Sequence, residues 1–359
     1  MLAKTFALTR LITLLLGIKC KRLCSIIFVI FFTALSPNGN GQSNTNAINQ
    51  SKLNDVVPMD YDYRSTPGVY GTITSIGSDT LAGLMAIWAQ RFQELYPHVK
   101  FQIQASGSAT ASQALTQGTA SIGPMSRLLT AQEIDAFTRV HGYEPTTFIV
   151  AIDAIAIYVE RNNPIRGLTL REVDSLFSVT RFCGGEKDIE VWNDIGVTKF
   201  GESQNIQLYG RNSASGTYDL FKQIGLCNGD YSKRVNEMPS SASVVQSVAS
   251  SVGGIGYAAL GYKNANVKAL GISINNSDFY LPTPENLREK QYPFTRFLYI
   301  IANKPPDKPL GTLERTFLKF VLSDEGQSIV SENGYYAISE RTKTIQRQML
   351  RSVDTRSFR

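Results

Sequence analysis

Histidine is scarce in this sequence, because its 359 residues include only His98 and His141. Proton transfer in enzymes most often relies on histidine, and catalytic zinc sites commonly use it as a ligand. The chain also lacks a Cys-x-x-Cys pair and a Gly-x-Ser-x-Gly nucleophile elbow. These absences argue against a histidine-dependent hydrolase and a zinc enzyme, so we expect no catalysis, no metal and no cofactor.

The apolar run that follows the basic cluster near the amino terminus is short. It extends from Leu23 to Leu35 and has thirteen residues, whereas a membrane-spanning helix needs about 20. It follows a basic flank and precedes small and polar residues, which is the order of a secretory signal peptide. We therefore predict a cleaved leader over residues 1–41 and a periplasmic mature protein. An uncleaved membrane anchor is the alternative.

Acidic residues are missing from residues 1–41, which carry five lysines and arginines. The formal net charge of +6 therefore falls to +1 once this segment is removed. A nearly neutral mature chain has no basic footprint for nucleic acid. Residues 42–68, in a stretch rich in Asn and Ser, are predicted to form a flexible linker, and residues 351–359 a loose tail.

Cysteine occurs four times, and Cys20 and Cys24 fall inside the predicted leader. The remaining pair, Cys183 and Cys227, would occupy an oxidising compartment, in which disulfides persist. We expect one disulfide between them, and two separate buried thiols are the alternative.

Patterns typical of strands and helices alternate along the rest of the chain, which indicates the α/β class. Thr130 and Glu133 have the spacing of a helix capping box. The stretch TFIVAIDAIAIYVE is almost entirely apolar and predicts a buried strand that crosses between two domains. Residues 311–335 are predicted to form a single amphipathic helix.

Four strand-to-helix junctions share small hydroxyl residues and glycine. They are GSDT at 77–80, ASGSAT at 105–110, GPMSR at 123–127 and RNSASGT at 211–217. Each one alone is consistent with ordinary helix capping. Two of the four also carry an arginine, which argues for a role beyond capping.

These turns have the chemistry of an anion site. A helix N-terminus presents unpaired amide hydrogens and the positive end of the helix dipole. Hydroxyls add neutral donors, and Arg211 adds a planar fork suited to phosphate or carboxylate. A dianion taken out of water needs many such donors. We therefore expect Arg211 and the turn from Ser215 to Thr217 to hold one tetrahedral anion together.

The motifs GSDT, GPMSR, RNSASGTY and GGIGYAALGY resemble, in this order, those of the phosphate-binding protein of Pst-type phosphate ABC transporters. The resemblance covers about residues 70–336, and R-x-x-x-S-G-T is its most specific element. It implies a two-lobed, type II periplasmic-binding-protein fold with two hinge crossings and a ligand cleft. The first lobe would comprise residues 69–152 and 272–350, and the second lobe residues 153–271.

The resemblance also implies phosphate contacts, which it transfers by position onto the four turns. The residues concerned are Ser78, Asp79, Thr80, Ser108, Ser126, Arg127, Arg211, Ser215, Gly216 and Thr217. Many such relatives have an aspartate where this chain has Ser126, and that carboxylate accepts the proton of bound phosphate. We hypothesise that Asp79 supplies the acceptor here. The alternative is that Asp79 only caps the helix after it, and Arg127 is expected either in the cleft or in an ion pair outside it.

The function implied is capture of inorganic phosphate in the periplasm, as a monomer, for the membrane permease of an ABC transporter. The same fold could instead bind sulfate, molybdate or a phosphonate, or act as a sensor or adhesin. A secreted hydrolase that uses Ser215 or Ser126 is the enzymatic alternative, and the missing nucleophile elbow argues against it.

Overall fold

The computed structural model describes residues 67–198 and 204–351. The predicted leader, the linker up to residue 66 and the tail after residue 351 lie outside the described residues and stay predictions. Within the described ranges, no helix is long and apolar enough to cross a membrane.

Strands and helices alternate through most of the described chain, which confirms the predicted α/β class. The strands are β1 Gly71–Ile76, β2 Val99–Gln104, β3 Ile122–Met125, β4 Thr146–Glu160, β5 Gly167–Thr169, β6 Gln207–Arg211, β7 Val235–Met238, β8 Gly254–Ala259, β9 Val267–Ala269, β10 Gly271–Ser273 and β11 Thr295–Ala302. The helices are α1 Ala82–Leu95, α2 Ser108–Thr116, α3 Ala131–His141, α4 Leu170–Phe177, α5 Gly216–Gly225, α6 Ser241–Ala249, α7 Pro284–Arg288, α8 Thr312–Val321, α9 Asp324–Glu332 and α10 Glu340–Arg351. Short 3-10 turns occupy Asp79–Leu81, Trp192–Ile195 and Leu260–Tyr262.

Most strands belong to one sheet with the order β2-β1-β3-β11-β4-β8-β6-β7, and β9 pairs with β4. Strand β1 runs parallel to β2 and β3, and β6 runs parallel to β7 and β8. The first part of β4 pairs antiparallel with β11, and its last part pairs with β8 and β9. The predicted crossing strand is therefore present, and its 15 residues link the two halves of the sheet.

Two large hydrophobic clusters lie on the two halves of this sheet. The first contains Trp88 of α1 and Phe317 of α8, and the second contains Phe221 of α5 and Tyr257 of β8. We call the half around the first cluster the first lobe and the other half the second lobe. This two-lobed arrangement agrees with the fold expected from the sequence.

The predicted disulfide between Cys183 and Cys227 is present. It joins the segment after α4 to the segment after α5, and both helices contribute buried residues to the second lobe. Both capping-box residues of α3 also have their expected roles, since Thr130 accepts from the Glu133 amide and Glu133 accepts from the Thr130 amide.

The prediction of one helix over residues 311–335 is wrong. Two helices, α8 and α9, occupy this range, and Ser323 stands between them. The Ser323 hydroxyl donates to the carbonyl of Phe320 at 2.6 Å and accepts from the amide of Gly326 at 3.1 Å. Ser323 is therefore the N-cap of a new helix. A residue at the N-cap position has extended rather than helical backbone angles, as Ser323 does, so the first helix cannot continue through it.

Candidate anion-binding site

The four polar turns lie at the carboxyl ends of strands. The turn with Asp79 follows β1, the one with Ser108 follows β2, the one with Ser126 follows β3, and the one with Gly216 follows β6. Ligands in open α/β sheets bind beyond the carboxyl ends of the strands, where loops converge. The sheet therefore brings the first three turns together in the first lobe and places the fourth opposite them in the second.

Asp79 and Arg211 form a buried ion pair across the two lobes. Arg211 Nη2 lies 2.6 Å from Asp79 Oδ1, and both side chains are almost fully buried. The other carboxylate oxygen of Asp79 accepts the amide of Ser241, the first residue of α6, at 2.9 Å. The carboxylate therefore contacts the second lobe and does not cap its own helix.

The other contacts of Arg211 hold its guanidinium in one orientation. Nε donates to the carbonyl of Met238 at 3.4 Å, Nη2 to that of Pro239 at 3.1 Å, and Nη1 to the Ser241 hydroxyl at 3.0 Å. An arginine has five N–H groups. Three of them have these acceptors, and Nη2 also faces Asp79, so at least one N–H of Nη1 has no acceptor among the described residues.

Four hydroxyls from the two lobes form two close pairs beside this ion pair. Ser108 Oγ lies 3.2 Å from Ser126 Oγ and accepts the Ser126 amide at 3.0 Å. Thr80 Oγ1 lies 3.2 Å from Thr217 Oγ1, so this second pair spans the lobes. All four residues are completely buried.

The start of α5 lies directly against the first lobe. Ser215 is its N-cap and accepts the Thr217 amide at 3.1 Å. A methyl group added to Gly216 would lie 2.6 Å from Ser108 Oγ and 2.8 Å from Ser126 Oγ. Glycine is therefore needed here for close approach, and the two lobes are closed over the site.

Ser78 and Arg127 have other partners. The Ser78 amide donates to the carbonyl of Pro124 at 2.8 Å. Arg127 donates to both oxygens of Glu133, at 2.7 and 3.0 Å, and through Nε to Asp219 of the second lobe at 2.6 Å. Arg127 thus forms an inter-lobe ion pair in the wall of a cavity of about 1100 Å³.

Two charged residues of the site were not anticipated from the sequence. Arg296 of β11 and Asp153 of β4 face each other in the strand register, and both are buried. Arg296 Nε and Nη2 donate to Asp153 Oδ2 at 2.9 and 2.7 Å. Complete burial raises the pKa of Asp153, although the charge of Arg296 opposes this shift. An acid in the middle of an apolar strand was the available signal, since a buried charge requires a partner.

Two tyrosines support the turn after β1. Tyr262 and Tyr335 donate through their hydroxyls to the carbonyls of Asp79 and Thr80, each at 2.6 Å. Burial, reinforced by the negative charge of Asp79, raises the pKa of Tyr262 to about 12. Tyr262 is therefore a neutral donor that holds the backbone of Asp79 in place.

Comparison with known proteins agrees with this fold and site. Residues 63–325 match the PBP superfamily domain. The chain is 50% identical over 275 residues to the phosphate-binding protein PstS of Pseudomonas aeruginosa, covering 76% of this chain and 85% of that protein. A candidate substrate-binding protein of a phosphate ABC transporter from Clostridium perfringens, solved with bound phosphate, has a TM-score of 0.63 and 25% identity, covering 75% of this chain and 100% of that chain. A possible phosphate-binding protein from Planctomyces limnophilus has a TM-score of 0.57 and 25% identity, covering 79% of this chain and 98% of that chain.

The two lobes, with a polar site closed between them, define a solute-binding protein. The chain belongs to the PBP superfamily and, within it, to the family of the phosphate-binding protein PstS.

Proposed function

We propose that this protein binds inorganic phosphate between its two lobes and supplies it to an ABC transporter. One observation carries this proposal: buried hydroxyls from both lobes meet beside the Asp79–Arg211 pair, at the ends of β1, β2, β3 and β6. Relatives with the same fold are named for phosphate. The chemistry needed is capture and release, so we propose no catalysis.

The charges of the site suit a small, fully desolvated anion. Asp79 balances Arg211, and Asp153 balances Arg296, so the neighbouring groups are neutral donors. Hydroxyls and helix-terminal amides can surround a dianion without adding net charge, and each satisfied oxygen avoids a desolvation cost. We propose that the ligand is held by Thr80, Ser108, Ser126, Arg211, Ser215, Gly216 and Thr217.

Asp79 is the proposed acceptor for the proton of phosphate. Its Oδ2 accepts the Ser241 amide, whereas its buried Oδ1 lies close to Arg211 Nη2 but accepts no hydrogen bond from the described residues. An ionised carboxylate oxygen has lone pairs available for a further donor. Phosphate near neutral pH carries at least one proton, whereas sulfate carries none. Asp79 would accept a hydrogen bond from phosphate and repel sulfate.

Lobe closure is the proposed step of capture. Besides Arg211–Asp79, the lobes meet where the Ala109 amide donates to the carbonyl of Ala214 at 3.2 Å. We propose hinge crossings in β4 and β11, and a monomer that presents its closed form to a membrane permease outside the cytoplasm. Tyr292 and Phe294 pack in the second cluster, which supports a return to the first lobe at β11 rather than at residue 272.

The test is calorimetric titration of the purified mature protein with phosphate and, separately, with sulfate, at two pH values. The proposal predicts tight phosphate binding and no heat with sulfate. Equal binding of sulfate would remove the acceptor role of Asp79. Molybdate and a phosphonate are titrated next, and if only one of these gives heat, that anion replaces phosphate as the proposed cargo. No heat with any oxyanion would contradict the proposal.

A further inference from the structure

The guanidinium of Arg296 lies at the junction of the two lobes, behind the hydroxyls of the site. Nη1 donates to the Thr217 hydroxyl at 3.0 Å and to the carbonyl of Ser126 at 3.3 Å, and Nη2 donates to the Thr80 hydroxyl at 3.4 Å. Thr80 and Ser126 belong to the first lobe and Thr217 to the second. One side chain therefore contacts three of the four polar turns.

Every N–H group of Arg296 has an acceptor within the protein. Nε and one hydrogen of Nη2 are directed to Asp153, and the remaining three are directed to Thr80, Ser126 and Thr217. Since a guanidinium has five N–H donors and no acceptor, none is left for a ligand. Arg296 can act on a ligand only through the groups that it contacts.

The direction of these hydrogen bonds determines the direction of the threonine hydroxyls. Arginine can only donate, so Thr80 Oγ1 and Thr217 Oγ1 both use a lone pair to accept from Arg296. Each hydroxyl keeps one hydrogen, and only one of the two hydrogens can lie between oxygens 3.2 Å apart. The other hydrogen is free to point away from Arg296 toward the site.

The opposite side of the pair is anchored to the second lobe. Asp153 Oδ1 accepts the Leu260 amide at 3.2 Å, and Tyr262 of the same 3-10 turn donates to the carbonyl of Asp79. The Arg296–Asp153 pair is thus connected both to the hydroxyls of the site and to the residue proposed as its proton acceptor.

We propose that Arg296 is a positioning residue for the bound anion, which fixes the Thr80 and Thr217 hydroxyls as donors and joins the two lobes beneath them. This inference rests on the proposed function. Its competitor is a purely structural role, in which the buried pair stabilises the fold and has no effect on the affinity of the folded protein.

The experiment is a coupling measurement with phosphate as the probe. The first variant, Thr217→Val, removes the hydroxyl with little change in shape. The second combines Arg296→Gln with Asp153→Asn and so leaves no buried charge unpaired. The third carries all three substitutions. Arg288→Gln, an exposed arginine on α7, is the matched control. Calorimetry gives the dissociation constant, and urea unfolding gives the stability of each variant.

We expect Thr217→Val and the Arg296→Gln, Asp153→Asn variant each to weaken phosphate binding about tenfold or more. Their combination should weaken it much less than the product of the two effects, because both act on the same hydroxyl. Arg288→Gln should bind like the parent protein. Effects that multiply, or unchanged affinity in the Arg296→Gln, Asp153→Asn variant, would overturn the inference.

If the Arg296→Gln, Asp153→Asn variant does not fold, Arg296→Lys tests the same inference. Lysine keeps the charge but places its donors on one nitrogen, so it cannot reach Thr80, Ser126 and Thr217 together. We expect a folded protein with at least about tenfold weaker phosphate binding, and parent-like affinity would overturn the inference. The parent protein separates the two proposals: if it does not bind phosphate, the proposed function fails, whereas binding unaffected by the Arg296 variants refutes only the positioning role.

Discussion

Two buried arginine–aspartate pairs lie within the same site, and they differ in what they connect. Arg211 and Asp79 come from opposite lobes, and Arg211 keeps one N–H group without an acceptor among the described residues. Arg296 and Asp153 come from neighbouring strands of one sheet, and the donors of Arg296 are all engaged. In our proposal, the same two residue types therefore form one pair that faces the ligand and another that supports the groups around it.

The largest expected effect is that of Arg211→Met. It removes a charged donor from the ligand and leaves Asp79 buried without its cation. We expect phosphate binding to weaken at least about 100-fold and the free energy of unfolding to fall by about 3–5 kcal/mol. Calorimetry and urea unfolding measure the two effects.

A second variant separates these two effects. Arg211→Met combined with Asp79→Asn should recover much of the stability, because no buried charge is left unpaired. It should not recover phosphate binding. Recovery of both would mean that the Arg211–Asp79 pair stabilises the protein without contacting the ligand.

Gly216→Ala should have the next largest effect. The new methyl group would lie within 3.0 Å of both Ser108 Oγ and Ser126 Oγ, so the lobes could not close fully. We expect phosphate affinity to fall about tenfold or more, which corresponds to about 1.4 kcal/mol or more. Gly83→Ala in α1 is the control, since its methyl group meets nothing within 4 Å. Equal affinities of the two variants would contradict the closed arrangement as the binding state.

Asp79→Asn tests the proton acceptor. The substitution keeps the shape of the side chain but removes the charge that would repel sulfate. We expect the ratio of phosphate to sulfate affinity to fall about tenfold, because one charged hydrogen bond is lost for phosphate. Titration with both anions measures the ratio, and an unchanged ratio would assign selectivity to another group.

A smaller effect is expected at the rim, where Arg127 joins the lobes. Asp219→Asn removes the inter-lobe partner, whose side chain is 40% exposed, so phosphate affinity should fall by less than about fivefold, consistent with a loss of no more than about 1 kcal/mol. The effect should shrink at high salt. A larger loss would place Arg127 within the binding site itself.

Glu133→Gln is the intra-lobe counterpart and should alter stability rather than affinity. Burial would raise the pKa of Glu133, but hydrogen bonds from Arg127 and from the Thr130 amide lower it overall. The stabilising contribution of the carboxylate is therefore complete above its unfolded pKa, about 4.3, and is lost as the pH falls through the lower folded value. Urea unfolding should distinguish this variant from the parent protein at pH 7 and not in strong acid, and a constant difference would contradict the ion pair.

Local chemistry explains what could be predicted. The turns with Asp79, Ser108, Ser126 and Gly216 could be predicted because hydroxyl residues and glycine at a helix start favour an anion, and their repetition, twice with an arginine, argues against capping alone. The crossing strand and the disulfide followed from an apolar run and an even cysteine count. The break at Ser323 was missed because the apolar periodicity continues across it.

Pairing partners could not be predicted, because they depend on strand register and lobe closure. Arg296 lies 143 residues from Asp153 along the chain, and only the antiparallel register of β11 with β4 places them opposite each other. The partners of Arg127 and Asp79 across the lobes have the same origin.

The amino-acid sequence alone therefore determined the α/β class and the polar, glycine-containing turns proposed to bind an anion, since both depend on residues close together in the chain. The tertiary structure decided which donors remain for a ligand. That choice depends on which hydrogen-bond partners meet when two lobes close, and it is the basis for proposing a ligand-facing role for Arg211 and a supporting role for Arg296.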